Sequence, residues 1–230
     1  MKTTRTHGIV LSRIDYGEAD RIITLLTPDH GKITLMARGV RKIKSKLAGG
    51  IELFSTSDIS FVRGKGDIGT LVSTQLIKHH GNIIKDIERV QLGYELIKLL
   101  NKATEDSAEG EYFDLLDQVF KSLDDASINL DLVKVWFYAQ LLTLSGHTPN
   151  MNTDNSGEKL SVDQKYNFDY DNVSFAKHPA GRFEANHIKT MRLLFSGNKP
   201  KQLSAVEGFN QNLDAIKPLV TTLQKTYQHF

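Results

Sequence analysis

Apolar and polar positions alternate with a period near two over the first third of the chain and then recur at helical spacing. Residues 6 to 15 (Thr-His-Gly-Ile-Val-Leu-Ser-Arg-Ile-Asp) read as a first strand, ended by Tyr16-Gly17-Glu18. Arg21 to Thr27 gives a second, and Pro28-Asp29-His30-Gly31 supplies a hairpin connection into a third at Lys32 to Arg38. A fourth runs from about Ile51 to Val62 and a fifth from Thr70 to Ile77. Five short strands separated by Gly-containing turns predict a small closed barrel such as an OB-fold, with a sandwich or an SH3-like barrel as the alternatives.

After Gly81 the pattern changes. Ile83, Ile84, Ile87, Val90, Tyr94, Ile97 and Leu100 recur at helical spacing, as do Tyr112, Phe113, Leu116, Val119, Phe120 and Leu123. Leu130 to Ser145 is apolar on most of its circumference, which predicts the central helix of a bundle and assigns Trp136 to packing. Gly146-His147-Thr148-Pro149-Asn150 ends that helix. Asn152 to Pro179 is polar with alternating aromatics and reads as a β-hairpin or irregular insert. Helices return at Glu184 to Phe195 and Asn210 to Tyr227, separated by Gly197-Asn198-Lys199-Pro200. The expectation is an α+β protein, with a barrel over residues 1–80 and a helical domain over 81–230 carrying the insert at 152–179.

The net charge of +2 hides an asymmetry. Residues 1–80 carry 13 Lys and Arg against 7 acids, whereas residues 81–150 carry 6 against 12. A basic module followed by an acidic scaffold suits a polyanion partner. The chain of 230 residues has no cysteine, which excludes disulfides, thiolate metal sites and a Cys nucleophile. Met1-Lys2-Thr3-Thr4-Arg5 is not followed by a signal-peptide core, and no apolar run approaches the roughly 20 residues of a membrane span, so a soluble cytoplasmic protein is expected.

The densest charge is at Arg38, Arg41, Lys42, Lys44 and Lys46, five cations in nine residues between the third strand and a Gly-rich break. Placed on a barrel rim, such a loop can lie along a phosphate backbone, releasing one condensed counterion for each phosphate it neutralises. Arg13, Arg21, Lys32, Arg63 and Lys65 form a second tier of candidate nucleic-acid-binding residues. Gly64-Lys65-Gly66-Asp67-Ile68-Gly69 matches the dinucleotide fingerprint G-x-G-x-x-G, but a strand follows it where the fingerprint needs a helix N-terminus. It reads as a hairpin turn. There is no Walker A sequence, the eight histidines have no metal spacing, and the acids near Asp15, Glu18 and Asp20 have no matching cluster elsewhere. No catalytic residue, cofactor or metal is expected, and the histidines are assigned to surface or strand-end positions.

Several of these segments together resemble the RecO recombination mediator family. They are Gly8-Ile9-Val10-Leu11-Ser12-Arg13 with Asp15-Tyr16-Gly17-Glu18, Asp20-Arg21, His30-Gly31-Lys32, Ala37-Arg38-Gly39-Val40-Arg41-Lys42 with Lys44-Ser45-Lys46, and Arg63-Gly64-Lys65-Gly66 followed by Gly69-Thr70-Leu71. In the helical part the resemblance rests on Leu141-Leu142 and Gly146-His147-Thr148-Pro149. It implies an N-terminal OB-fold, a C-terminal helical domain, binding to single- and double-stranded DNA, and ATP-independent strand annealing. It also implies help in loading RecA onto DNA covered by single-strand-binding protein (SSB), with RecR and the SSB tail as partners. Lys134, on the Trp136 helix, is the candidate cation for that acidic, apolar-tipped tail. Many relatives carry a four-Cys zinc site where this chain has Asn152-Thr153-Asp154-Asn155-Ser156-Gly157, so zinc is expected to be absent and aromatic residues to hold the insert. An OB-fold RNA-binding module is the alternative function.

Overall fold

Five strands make up the N-terminal sheet: β1 (Thr3–Tyr16), β2 (Asp20–Thr27), β3 (Gly31–Ala37), β4 (Ser55–Val62) and β5 (Ile68–His79). The computed structural model describes residues 2–64, 66–104 and 110–227. Strands β1, β2 and β3 form an antiparallel meander, β5 runs parallel to β3, and β4 joins β5 to β1. The order β1-β2-β3-β5-β4 closes on itself as a barrel, the OB-type arrangement expected from the sequence.

Period-two alternation sends Ile23, Leu25, Leu35, Ile59, Phe61 and Leu71 into the ring, where each is buried. The parallel seam between β3 and β5 depends on Gly69: a Cβ there would lie 2.8 Å from the Leu35 side chain and 2.9 Å from the Val62 carbonyl oxygen. The last glycine of the G-x-G-x-x-G run thus serves ring closure, in keeping with the hairpin reading of that motif.

Two helices pack with the barrel in one unit, residues 1–126: α1 (Ile87–Ala103) and α2 (Gly110–Asp124). Asp86 starts α1 by accepting from the Glu88 and Arg89 amides. Buried Arg89 then donates to the carbonyls of Leu123, Asp125 and Ala126, satisfying the end of α2 and tying the helices together. The buried face of α1 is Arg89, Leu92, Gly93, Leu96, Ile97 and Leu100. Ile84, Ile87 and Tyr94, three of the residues that recur at helical spacing, are exposed. Gly93 lets α1 approach closely, since a Cβ there would overlap the Phe54 ring.

His80, expected at the surface or a strand end, is fully buried just beyond β5, edge-on to Phe120 at 5.7 Å. Neither ring nitrogen has a hydrogen-bond partner among the described residues, and Asp124 lies 3.8 Å away. Burial, reinforced by Lys78, pushes the imidazole down to about 4 despite the opposing pull of Asp124 and Asp117. The unfolded chain takes up this proton near 6.5, so the folded state holds its full stability above that value and loses it as the pH falls toward 4. Between about pH 7 and about pH 5 the loss is about 2 kcal/mol. Urea denaturation of wild type and His80→Leu at both pH values checks this, the variant being expected to lack that share of the pH dependence.

The second unit, residues 127–230, contains α3 (Leu130–Leu144), the hairpin β6 (Tyr166–Asp169) and β7 (Ser174–Lys177), α4 (Ala185–Phe195), α5 (Pro200–Ser204) and α6 (Phe209–Thr226). Asn129 caps α3, and the helix is buried against α4 and α6. Trp136 is a packing residue, as expected: it is 5% exposed and donates its indole N–H to the Asn198 carbonyl at 2.8 Å. The hairpin expected between residues 152 and 179 is present. Phe175, wholly buried, meets Phe168, Phe183 and Tyr166 edge-on at 5.3, 5.7 and 6.4 Å. In the segment 152–157, Asp154 accepts from the Ser156 amide and hydroxyl and from the Glu158 amide. These donors, the Ser156 hydroxyl foremost, hold its carboxyl below the usual carboxylate range. Among the described residues no cluster of His, Asp and Glu is arranged to hold a metal ion.

Candidate nucleic-acid interface

The basic loop leaves β3 at the end of the barrel that also carries the β1–β2 tip. It is tethered there along its length. Asp20 accepts from the Gly39 amide at 2.7 Å, and the Arg41 amide donates to the Ala19 carbonyl at 2.9 Å. Gly39 takes the left-handed backbone conformation, φ 63°, that this reversal requires and that side chains resist. Val40, 3% exposed, enters the barrel core, so the residues around it are driven outward. Further on, Thr74 donates to the Leu47 carbonyl and Arg13 to the carbonyl of Ile51. Arg38, Arg41, Lys42, Lys44 and Lys46 are all exposed on this anchored loop.

Their electrostatic states differ. Arg21 donates to Asp15 at 2.8 Å, Arg41 lies 3.5 Å from the same carboxylate and donates to the Gly17 carbonyl, and Arg13 pairs with Glu52 at 2.8 Å. The Arg21 hydrogen bond, with Arg41 and Arg13 nearby, holds the Asp15 carboxyl below its ordinary range. Its small contribution to stability is therefore present above the ordinary carboxylate pKa and lost as the pH falls through the lower folded value. Arg38, Lys42, Lys44 and Lys46 form no ion pair with any described residue and stand exposed to solvent. The Asp15→Asn substitution removes one negative charge and releases two arginines. It is expected to strengthen single-strand binding several-fold at low salt and to steepen the salt dependence, as read by fluorescence anisotropy at increasing salt.

The remaining candidates lie elsewhere. Lys32 donates to the Asn101 carbonyl near the end of α1, and Arg63 is exposed. Both line a cleft of about 530 Å³ with His30, Phe61, Gly64 and Gly66, at the barrel end opposite the basic loop. The structure therefore separates them from the cluster at Arg38 to Lys46, although the sequence grouped all ten cations. Lys65 falls outside the described residues. Lys134 sits half-buried on α3 with its ammonium 5.9 Å from the centre of the Tyr138 ring, a cation–π contact along one helix.

Sequence reasoning passed over three apolar residues beside the loop. Ile14, Tyr16 and Ile43 are 62%, 55% and 104% exposed. Strand parity places Ile14 and Tyr16 on one face, but which face meets solvent is set only by closure of the barrel.

An OB-type barrel with an anchored cationic loop at one end, joined to helices, is the class of protein these features define. A family model described as Recombination protein O N terminal matches residues 1–80, the whole barrel. DNA repair protein RecO of Dehalococcoides mccartyi strain 195 is 35% identical over 164 residues, covering 70% of this chain and 64% of that protein. DNA repair protein RecO of Halalkalibacterium halodurans is 32% identical over 148 residues, 64% of this chain and 58% of the relative. That of Bacillus velezensis is 34% identical over 150 residues, 65% and 58%. Residues 1–80 belong to the RecO N-terminal family, and the chain is similar to RecO proteins over the matching stretch beyond the barrel, as its motifs led one to expect. It spans less than two thirds of the length of these curated relatives.

Proposed function

We propose that this chain acts in DNA repair and recombination as a mediator, binding single- and double-stranded DNA and annealing complementary strands without ATP. The observation that supports this most is the set of four exposed cations, Arg38, Lys42, Lys44 and Lys46, held on a loop that is anchored in the barrel core by Val40. Annealing requires a surface that lowers the repulsion between two polyanions while leaving bases free to pair, and unpaired cations on an ordered loop do this without reading sequence. No bond is made or broken by the protein in such a step. Assistance to RecA on SSB-coated strands, contact with RecR and contact of Lys134 with the SSB tail belong to the same reading and rest on the RecO likeness. No helix among the described residues is long and apolar enough to cross a membrane.

Mixing two complementary oligonucleotides, one carrying a fluorophore and the other a quencher, tests the proposal. The protein should speed duplex formation without nucleotide, at a rate that falls with salt and is independent of sequence. A rate equal to that of the free strands would overturn it, and equal or tighter binding to RNA of the same sequence would favour an RNA-binding role.

A further inference from the structure

The outward face of β1, β2 and β3 beside the basic loop carries an unusual combination. Ile14 pairs with Ile22, and Ile22 with Met36, so three apolar side chains align in one row across three strands. Ile14 is 62% exposed, and Ile22 and Met36 are partly exposed. Two residues further along β1, on the same face and about 7 Å away, stands the phenol ring of Tyr16, 55% exposed. Exposed Arg38 begins the turn directly after β3, and Lys42, Ile43 and Lys44 follow in the loop. Core packing does not explain these apolar groups, because the barrel is filled from the opposite face of the same strands by Ile23, Leu25 and Leu35.

We infer that Tyr16 and the Ile14–Ile22–Met36 row form a base-stacking platform, which makes the surface selective for single-stranded over double-stranded DNA. This rests on the nucleic-acid reading above and adds which strand form the site prefers and which residue decides it. Every base has a flat apolar face, so an exposed ring takes bases without regard to sequence, while cations a few ångströms to the side hold the phosphates. A single strand, a polyanion with accessible apolar base faces along its whole length, matches both halves of this surface. A duplex presents its phosphates to the lysines but keeps its base faces stacked inside, so it gains only the charge term.

Anisotropy titrations of the full chain with three labelled ligands of equal length test this: an oligo-dT strand, the corresponding abasic strand and a duplex. Wild type is expected to bind oligo-dT about tenfold more tightly than the abasic strand, the magnitude of one stacked base. Tyr16→Ala should abolish that difference and leave the abasic strand, the duplex and the salt slope unchanged, whereas Tyr16→Phe should restore it. Ile14→Ser, an exposed substitution, should reduce the difference in the same sense. Equal affinity of wild type for oligo-dT and abasic strand, with a normal salt slope, would overturn the platform and leave the nucleic-acid reading intact. So would a Tyr16→Ala protein that retains the preference, pointing to a protein partner for this face. Failure of wild type to bind any of the three would overturn both.

Discussion

Replacing Arg38, Lys42, Lys44 and Lys46 together by alanine is expected to weaken single-stranded DNA binding by about two to three orders of magnitude near 0.1 M salt. Each phosphate contact on a single strand contributes about 0.7 to the slope of log K against log salt, so four lost contacts flatten it by about 3. If about six cations meet phosphates in wild type, its slope is about −4. Arg13, Arg21 and Arg41 already interact with Asp15 or Glu52, so substituting them should cost less per residue. The four chosen side chains are exposed, and the loop is anchored through Val40, Gly39 and backbone groups, so folding should be unaffected. An unchanged slope in the quadruple variant would exclude this loop as the phosphate-binding element.

Phe175→Ala is expected to destabilise the unit spanning residues 127–230 by about 3–5 kcal/mol. The ring is wholly buried among Tyr166, Phe168 and Phe183, and removing it leaves a cavity bounded by three aromatic edges. Its backbone carbonyl also accepts from the Asn155 amide, coupling the hairpin to the segment 152–157. The single Trp of the chain, Trp136, lies in this unit, so its fluorescence during urea denaturation reports the effect directly. A chelator should leave the wild-type curve in place, because packing and the Asp154 turn hold the segment. A loss below about 1 kcal/mol in the variant would show that the aromatic cluster is not what stabilises the insert.

All five strands were legible because alternation and turn residues are local signals, and the observed bounds lie within a few residues of those expected. The exception is β4, which begins at Ser55: Ile51 to Phe54 belong to the connection, where Phe54 adopts a positive φ. The short helix α5 was missed because Lys199-Pro200 reads as a breaker, whereas proline is well suited to the first helical turn. The buried face of α1 departs from the helical recurrence of apolar residues for a different reason. Gly93 and the aliphatic stem of Arg89 carry no hydrophobic signal, yet they face the interior, while Ile87 and Tyr94 turn outward. The basic loop was visible as composition. Its separation from Arg63 follows from β5 running parallel to β3, a long-range pairing with no local trace. For the same reason periodicity marked a change at residue 81, whereas the packing of α1 and α2 with the barrel puts the division between units at 126.

The two pairings that close the barrel, Thr3 with Val62 and Thr34 with Ile68, have a consequence for synthesis of the protein. A chain emerging from the ribosome first displays β1, β2 and β3, a meander with an open edge on each side. At about 5–20 residues per second, the 42 residues between the ends of β3 and β5 take about 2–8 s to appear. During that interval the edges of β1 and β3 can template another chain. A fragment cut after β4 would remain in that state permanently, with β3 unpaired on one side and β4 on the other, and should accumulate as aggregate, whereas extending it through His79 supplies the strand that satisfies both edges.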